Sequence, residues 1–158
     1  MAAIATYSTR NVTVTGGEPL AQKACLALLR LLCDAGYAVS LETSGALDIG
    51  SVDARVAKIV DIKTPGSGEV SRNLWANLAH LRSTDELKFV VADRTDYEWA
   101  KSVIAERALA GRCPIHLSPV WGTVDLAQLA RWILDDRLEV RFSLQLHKSI
   151  WGAAAKGV

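Results

Sequence analysis

Residues 12–22 read VTVTGGEPLAQ: a run of β-branched residues gives way, through two glycines, a glutamate and a proline, to alanine and leucine. β-branched side chains suit a strand and Pro19 suits the first turn of a helix, so the stretch predicts a strand over 12–15 that turns directly into a helix. The same grammar repeats outward. A helix is expected over Leu20–Gly36, with Leu28, Leu29, Leu31 and Leu32 on its apolar face and Gly36 as its C-cap. Further strands are expected over 37–43 (YAVSLET), 58–63 (KIVDIK), 85–93 (DELKFVVAD), 113–119 (CPIHLSP) and 138–146 (LEVRFSLQL). Helices are expected near 72–81 and over 95–109 and 126–136, and GAAAKGV at the end reads as a loose tail. Strands alternating with helices or short connections imply a parallel sheet with right-handed crossovers. The class is therefore α/β in a single domain over 1–158. A partial or full β/α barrel and an open doubly wound sheet both satisfy the periodicity.

Composition narrows the function classes. Of 158 residues half are apolar and 22% charged, and 18 Lys plus Arg balance 17 Asp plus Glu to a net +1. Such a balance gives no electrostatic case for nucleic acid or an anionic membrane surface. No apolar run reaches the roughly 18 residues of a membrane span, and MAAIATYSTR lacks the apolar core of a secretory signal, so a cytoplasmic setting is expected. The three cysteines, Cys25, Cys33 and Cys113, form no CxxC pattern. On a helix Cys25 and Cys33 stand about 80° apart in azimuth and roughly 12 Å apart in rise, too far to share a metal. They read as ordinary core or semi-buried thiols.

In α/β folds ligand groups collect at the carboxyl ends of strands. Here those ends read TGGEP, ETSG, DIKTPGSG, ELKFVVAD, LSPVWG and LQLHKSIWG, each polar, small or charged after an apolar run. Gly16 and Gly17 can bring backbone N–H groups close to a ligand, and the Glu18 carboxylate can accept from an ammonium. The same residues also suit a tight βα turn with Glu18 at a positive helix N-terminus. ETSG sets Glu42, Thr43 and Ser44 in a polar turn. Asp61 and Lys63 share one strand face, as do Glu86 and Lys88, each pair readable as an ion pair or as part of a site. His80 reads as a surface residue and His116 as structural. His147, at the end of the last strand, suits an anionic ligand. Trp121 and Trp151 could wall a flat ligand or pack in the core.

VTVTGGEPLAQ, VSLETSGALDI, VDIKTPGSGEV, ELKFVVADRTDYEWA, LSPVWG and LQLHKSIWG, in this order, resemble the 7-carboxy-7-deazaguanine synthases, radical S-adenosylmethionine enzymes of the queuosine pathway. The resemblance runs from about residue 10 to 158 and narrows the fold to a partial β/α barrel of that type. GGEP alone points to the superfamily; DIKTPGSGE and QLHKSIWG carry the narrower match. It implies a lyase reaction, in which a 5′-deoxyadenosyl radical abstracts hydrogen from 6-carboxy-5,6,7,8-tetrahydropterin. The ring contracts to 7-carboxy-7-deazaguanine with loss of ammonia, assisted by Mg²⁺. Carried to this chain, Thr15 and His147 would contact the substrate. Gly16, Gly17, Glu18, Ser44, Asp61, Ile62, Lys63, Ser118, Pro119, Val120 and Trp121 would hold S-adenosylmethionine. Ser149 stands where the family often has an aromatic residue. The implied partners are the carboxylated tetrahydropterin, a flavodoxin or reductase as electron donor, and, in an arrangement the resemblance admits, a second copy in a homodimer.

The family also begins with a strand, a three-cysteine loop for a [4Fe–4S] cluster and a Mg²⁺ residue, none of which this sequence shows. No metal ligand and no catalytic residue is therefore assigned. MAAIATYSTR reads as the tail of a helix entering the second barrel strand, Met1 is expected to be an internal start, and the chain as written is expected to be inactive. A glycyl-radical-activating-type protein shares GGEP but not the QLHKSIWG end. A non-catalytic α/β domain binding a ligand or partner is the reading that the missing cysteines favour.

Overall fold

The computed structural model describes residues 2–152 and 154. Most of the expected loose tail lies outside them, as does Met1. Six strands form one sheet in the order of the chain: β1 (Asn11–Val14), β2 (Ala38–Thr43), β3 (Ala57–Ile62), β4 (Glu86–Val91), β5 (Ile115–Pro119) and β6 (Arg141–Phe142). Every neighbouring pair is parallel. A consecutive order has no point at which the winding reverses, so the doubly wound alternative is excluded. The sheet is not closed, and the architecture is a partial β/α barrel.

Helices α2 (Cys25–Asp34), α3 (Arg94–Glu106) and α4 (Leu126–Asp135) connect β1 to β2, β4 to β5 and β5 to β6; α1 (Ala2–Ala5) precedes β1 and α5 (Leu146–Trp151) follows β6. Local chemistry fixes their ends. The Asp93 and Asp125 carboxylates accept the Asp96 and Gln128 N–H groups at 2.9 and 2.8 Å, capping α3 and α4. At the other end of α2, Gly36 N–H and Tyr37 N–H donate to Cys33 and Leu32 carbonyls, a Schellman closure with Gly36 at φ +82°. The same closure ends α3 and α4, but there Ala108 (φ +48°) and Arg137 (φ +49°) take the left-handed position, where a Cβ is strained.

Alternation along each strand separates two faces. Val39 and Leu41, Val60 and Ile62, Leu87, Phe89 and Val91, and Ile115 and Leu117 face outward and are buried with Leu29 and Leu32 of α2, Tyr97, Ala100 and Ile104 of α3, and Leu129 and Ile133 of α4. The outer face also holds a buried ion pair, Lys58 Nζ to Asp85 Oδ2 at 2.9 Å, with side chains only 4% and 0% exposed. Asp85 also accepts from Lys58 N–H at 2.9 Å and Arg82 N–H at 2.8 Å, so the buried charge is fully hydrogen-bonded. Burial by itself would raise the Asp85 pKa; the bonds from Lys58 and Arg82 outweigh it and leave it below the ordinary carboxylate value.

Three expectations are corrected. The helix expected over 20–36 is a 3₁₀ turn at Pro19–Ala21, which the Glu18 carboxylate caps at its start by accepting the Leu20 N–H, followed by the separate helix α2. The helix near 72–81 is two 3₁₀ pieces, Val70–Arg72 and Trp75–His80. Asn73 and Asn77 there spend their amides on backbone groups of Lys63, Gly45, Leu47 and Ile49, pinning the segment to the loops after β2 and β3. The strand expected over 138–146 is reduced to Arg141–Phe142, and α5 starts at Leu146, so His147 belongs to a helix.

Candidate active site

The inner face of the sheet, turned away from the helices, is built in rows by the register. One row runs Glu42, Ile59, Glu86 across β2, β3 and β4. The next runs Asp61, Lys88, His116 across β3, β4 and β5, and Val90 pairs with Ser118 beyond it. These side chains are half-buried, apart from the fully buried Ser118, where the alternating outer positions are apolar and buried. Above the first row a cavity of about 600 Å³ is lined by Thr15, Glu42, Ile59, Glu86, Lys88, His116, Ser118 and the segment Ser143–His147. Ligand sites commonly span about 300–1,000 Å³. Thr15, Glu42, Ile59 and Lys88 also line a neighbouring space of about 120 Å³ with Gly17, Ser44, Asp61 and Lys63. Asp61, Ile62, Lys63 and Val120 continue into a third, of about 210 Å³. A groove thus runs along the carboxyl ends of the strands.

Most residues singled out in the sequence meet in this groove. Thr15, Ser118 and His147 line the large cavity, and Gly17, Ser44, Asp61 and Lys63 the smaller one. Pro119, Val120 and Trp121 line a flanking space of about 380 Å³ that shares Leu144 and Gln145 with the large cavity; Trp121 is 46% exposed. Gly16 and Gly17 take φ +101° and +54°, and a Cβ on either would meet nothing within 4 Å. Backbone geometry rather than crowding therefore calls for glycine here, leaving an open backbone surface beside the groove.

Glu18 is more heavily engaged than its sequence suggests. Its oxygens accept from Leu20 N–H (3.1 Å), Thr43 Oγ1 (2.9 Å), Ser44 N–H (2.8 Å) and the Ser44 hydroxyl. Burial would raise its pKa, but the Ser44, Leu20 and Thr43 bonds prevail and hold it below the usual carboxylate value. The ionised carboxylate ties the loop after β1 to the loop after β2. Lys63 Nζ meets Asp61 Oδ2 at 2.6 Å, as their spacing suggested. Lys88 forms no ion pair among the described residues.

Three residues read otherwise, or not at all, in the sequence also belong here: His116, Ser143 and Gln145. His116 lines the large cavity; its Nδ1 shares a 2.6 Å hydrogen bond with Ser143 Oγ, and its Nε2 lies 3.3 Å from Glu86 Oε2 without a hydrogen bond's alignment. Gln145, at the start of α5, lines the same cavity. Among the described residues the buried side-chain polar atoms left without a hydrogen-bond partner are Asp61 Oδ1, His116 Nε2 and Gln145 Oε1. All three belong to groove residues. Buried polar groups are normally paired, so the groove is where the described residues leave polar atoms over. Strand alternation marks the face of His116, but only the cross-strand register shows its neighbours.

The groove fits S-adenosylmethionine in one respect: an open glycine backbone adjoins Ser44, Asp61 and Lys63 in one space. Resident metals are different. Among the described residues no group of three His, Cys, Asp or Glu side chains is placed to hold a metal ion. Cys25 and Cys33 lie on α2, Cys113 precedes β5, and burial pushes all three thiols above their ordinary pKa. These residues do not fit a [4Fe–4S] cluster or a Mg²⁺ site.

Fold and site together define an α/β enzyme architecture, a partial barrel whose strand ends form a polar ligand groove. No family model matches the chain. It is 48% identical over 150 residues to the 7-carboxy-7-deazaguanine synthase of Chlorobaculum tepidum, covering 93% of this chain and 68% of that protein. To the protein of the same name from Koribacter versatilis it is 41% identical over 161 residues, covering 93% and 71%. To that from Methanospirillum hungatei the figures are 42% over 141 residues, 88% and 58%. The chain belongs to the 7-carboxy-7-deazaguanine synthase family of enzymes. It spans 68%, 71% and 58% of the length of these three relatives. No helix among the described residues is long and apolar enough to cross a membrane.

Proposed function

We propose that this chain provides the substrate and cofactor face of a radical S-adenosylmethionine lyase that converts 6-carboxy-5,6,7,8-tetrahydropterin to 7-carboxy-7-deazaguanine and ammonia. The observation that carries the reading is the groove: two adjoining spaces at the strand ends, sharing Thr15, Glu42, Ile59 and Lys88. The larger takes the pterin. Thr15 and Glu42 reach it from the strand ends, while Lys88 and His147 offer cationic or donor groups to its carboxylate. The smaller takes the amino-acid end of S-adenosylmethionine. Glu18 fixes the Gly16–Gly17 loop against Ser44 and supplies a negative charge near the ammonium. Asp61, Ile62 and Lys63, with Ser118, Pro119, Val120 and Trp121, wall the remainder.

S-adenosylmethionine, when bound and reductively cleaved, supplies the hydrogen-abstracting chemistry. The protein residues bind and orient the pterin, balance its charge and shield the reacting carbon from water. The described residues hold no thiolate set for the electron transfer, so the 158-residue chain by itself is expected to bind without turning over. A flavodoxin or a reductase is the fitting electron donor, and the cytoplasm the fitting setting; a homodimer is compatible with this reading.

Calorimetry with S-adenosylmethionine and with 6-carboxypterin, the oxidised stable relative of the substrate, tests the assignment. Each ligand is expected to bind, and neither to exclude the other. Mutual exclusion, or binding of neither, contradicts it.

A further inference from the structure

Beside the residues matched to the family, the large cavity contains a linked set: Glu86, His116 and Ser143. Glu86 lies in the same row as Glu42, with Ile59 between them, and its side chain is 34% exposed. His116 sits on the neighbouring strand with a side chain only 15% exposed. A carboxylate oxygen 3.3 Å from Nε2 disfavours a bare lone pair there and so favours a proton on that nitrogen. Nδ1 is then the acceptor, and the Ser143 hydroxyl donates to it at 2.6 Å. Ser143 thus orients His116, and His116 presents an N–H beside Glu86 from the buried side. The carboxylate remains open to the cavity. Ile59 gives an apolar floor flanked by Glu42 and Glu86, two acceptor-only groups. Lys88, on the Glu86 strand, stands one row further toward the strand ends.

We propose, on the reading of this cavity as the pterin site, that Glu86 is a ligand-binding carboxylate accepting N–H groups from the pyrimidine ring of the substrate, and that His116, backed by Ser143, is its positioning residue. A flat ring across Ile59 meets the two carboxylates with its amino and ring N–H groups, while its carboxylate substituent reaches Lys88. Recognition of the ring's donors and of its anionic substituent is then separated by one row of the sheet. Glu86 reads the ring and Lys88 reads the substituent.

Fluorescence titration of the chain with pterin and with 6-carboxypterin tests this division. Glu86→Gln is expected to weaken both ligands about tenfold or more, leaving their affinity ratio as in the wild type. Lys88→Met is expected to leave pterin unchanged and to collapse the ratio. His116→Ala weakens both ligands several-fold, and His116→Gln, which restores an N–H toward Glu86, recovers most of the loss. Should the Gln variant misfold by circular dichroism, Glu86→Asp keeps the charge but withdraws it by one methylene, and it too is expected to lose several-fold in affinity. A folded Glu86 variant that binds both ligands as tightly as the wild type overturns the proposal and leaves the pterin assignment standing. A wild-type chain that binds neither overturns the pterin assignment and the proposal with it.

Discussion

The two faces of the sheet are made from the same strands, one residue apart, and they treat charge in opposite ways. On the outer face Lys58 and Asp85 are almost completely buried, 2.9 Å apart, with further hydrogen bonds from Lys58 and Arg82 N–H groups to the same carboxylate. On the inner face Asp61, Glu86, Lys88 and His116 are half-buried, Lys88 has no ion pair among the described residues, and Asp61 Oδ1 and His116 Nε2 lack hydrogen bonds. Removing two charges from water is costly and is tolerated where their partners are built in. The outer pair is complete and belongs to the scaffold. The inner set lacks such built-in partners, in line with the ligand-binding role proposed for it.

Substitutions on the two faces should therefore fail in different ways. The largest loss of stability is expected from Asp85→Ala, which strands the Lys58 ammonium and should cost about 3–5 kcal/mol in denaturant unfolding. Because the folded-state pKa of Asp85 is lowered, its contribution is complete above the unfolded value near 4 and disappears as the pH falls through the lower folded value. Unfolding of the wild type followed from pH 6 to pH 2 should consequently be more acid-sensitive than that of Asp85→Asn. Leu117→Ala, at a fully buried outer position, should cost about 2–5 kcal/mol, read from the same curves.

Lys88→Met inverts the pattern. Its stability should stay within about 0.5 kcal/mol of the wild type, while the preference for 6-carboxypterin over pterin falls about tenfold. A comparable loss of stability in Lys88→Met and Asp85→Ala would erase the distinction between the faces. The smallest effect lies away from both. Ala108→Gly relieves the left-handed closure of α3 and should stabilise the protein by about 0.5–1 kcal/mol without altering ligand binding.

The strands were legible in the sequence because β-branched runs ending in small or polar residues announce both a parallel strand and its carboxyl end. VTVTGGEP, VSLETSG and VDIKTPGSG lie where that pattern puts them, and so the groove could be read before its geometry was known. The segment around 70–80 was not legible, since its helical spacing is overridden by long-range bonds from Asn73 and Asn77. The last strand was overextended because alternation continues past Phe142, although pairing with β5 stops there. Glu18 looked like a free acceptor because its partners Thr43 and Ser44 are 25 and 26 residues away. The Glu86–His116–Ser143 set was hidden for the same reason: alternation gives the face of a residue, whereas its neighbour across the sheet depends on register.

Amide hydrogen exchange with and without saturating 6-carboxypterin tests the central division most directly. The account expects slowed exchange at the strand ends that line the large cavity, around Thr15, Ser118 and 143–147, with α3 and α4 unchanged. Protection confined to the outer helices, or none at the strand ends despite saturation, would contradict it.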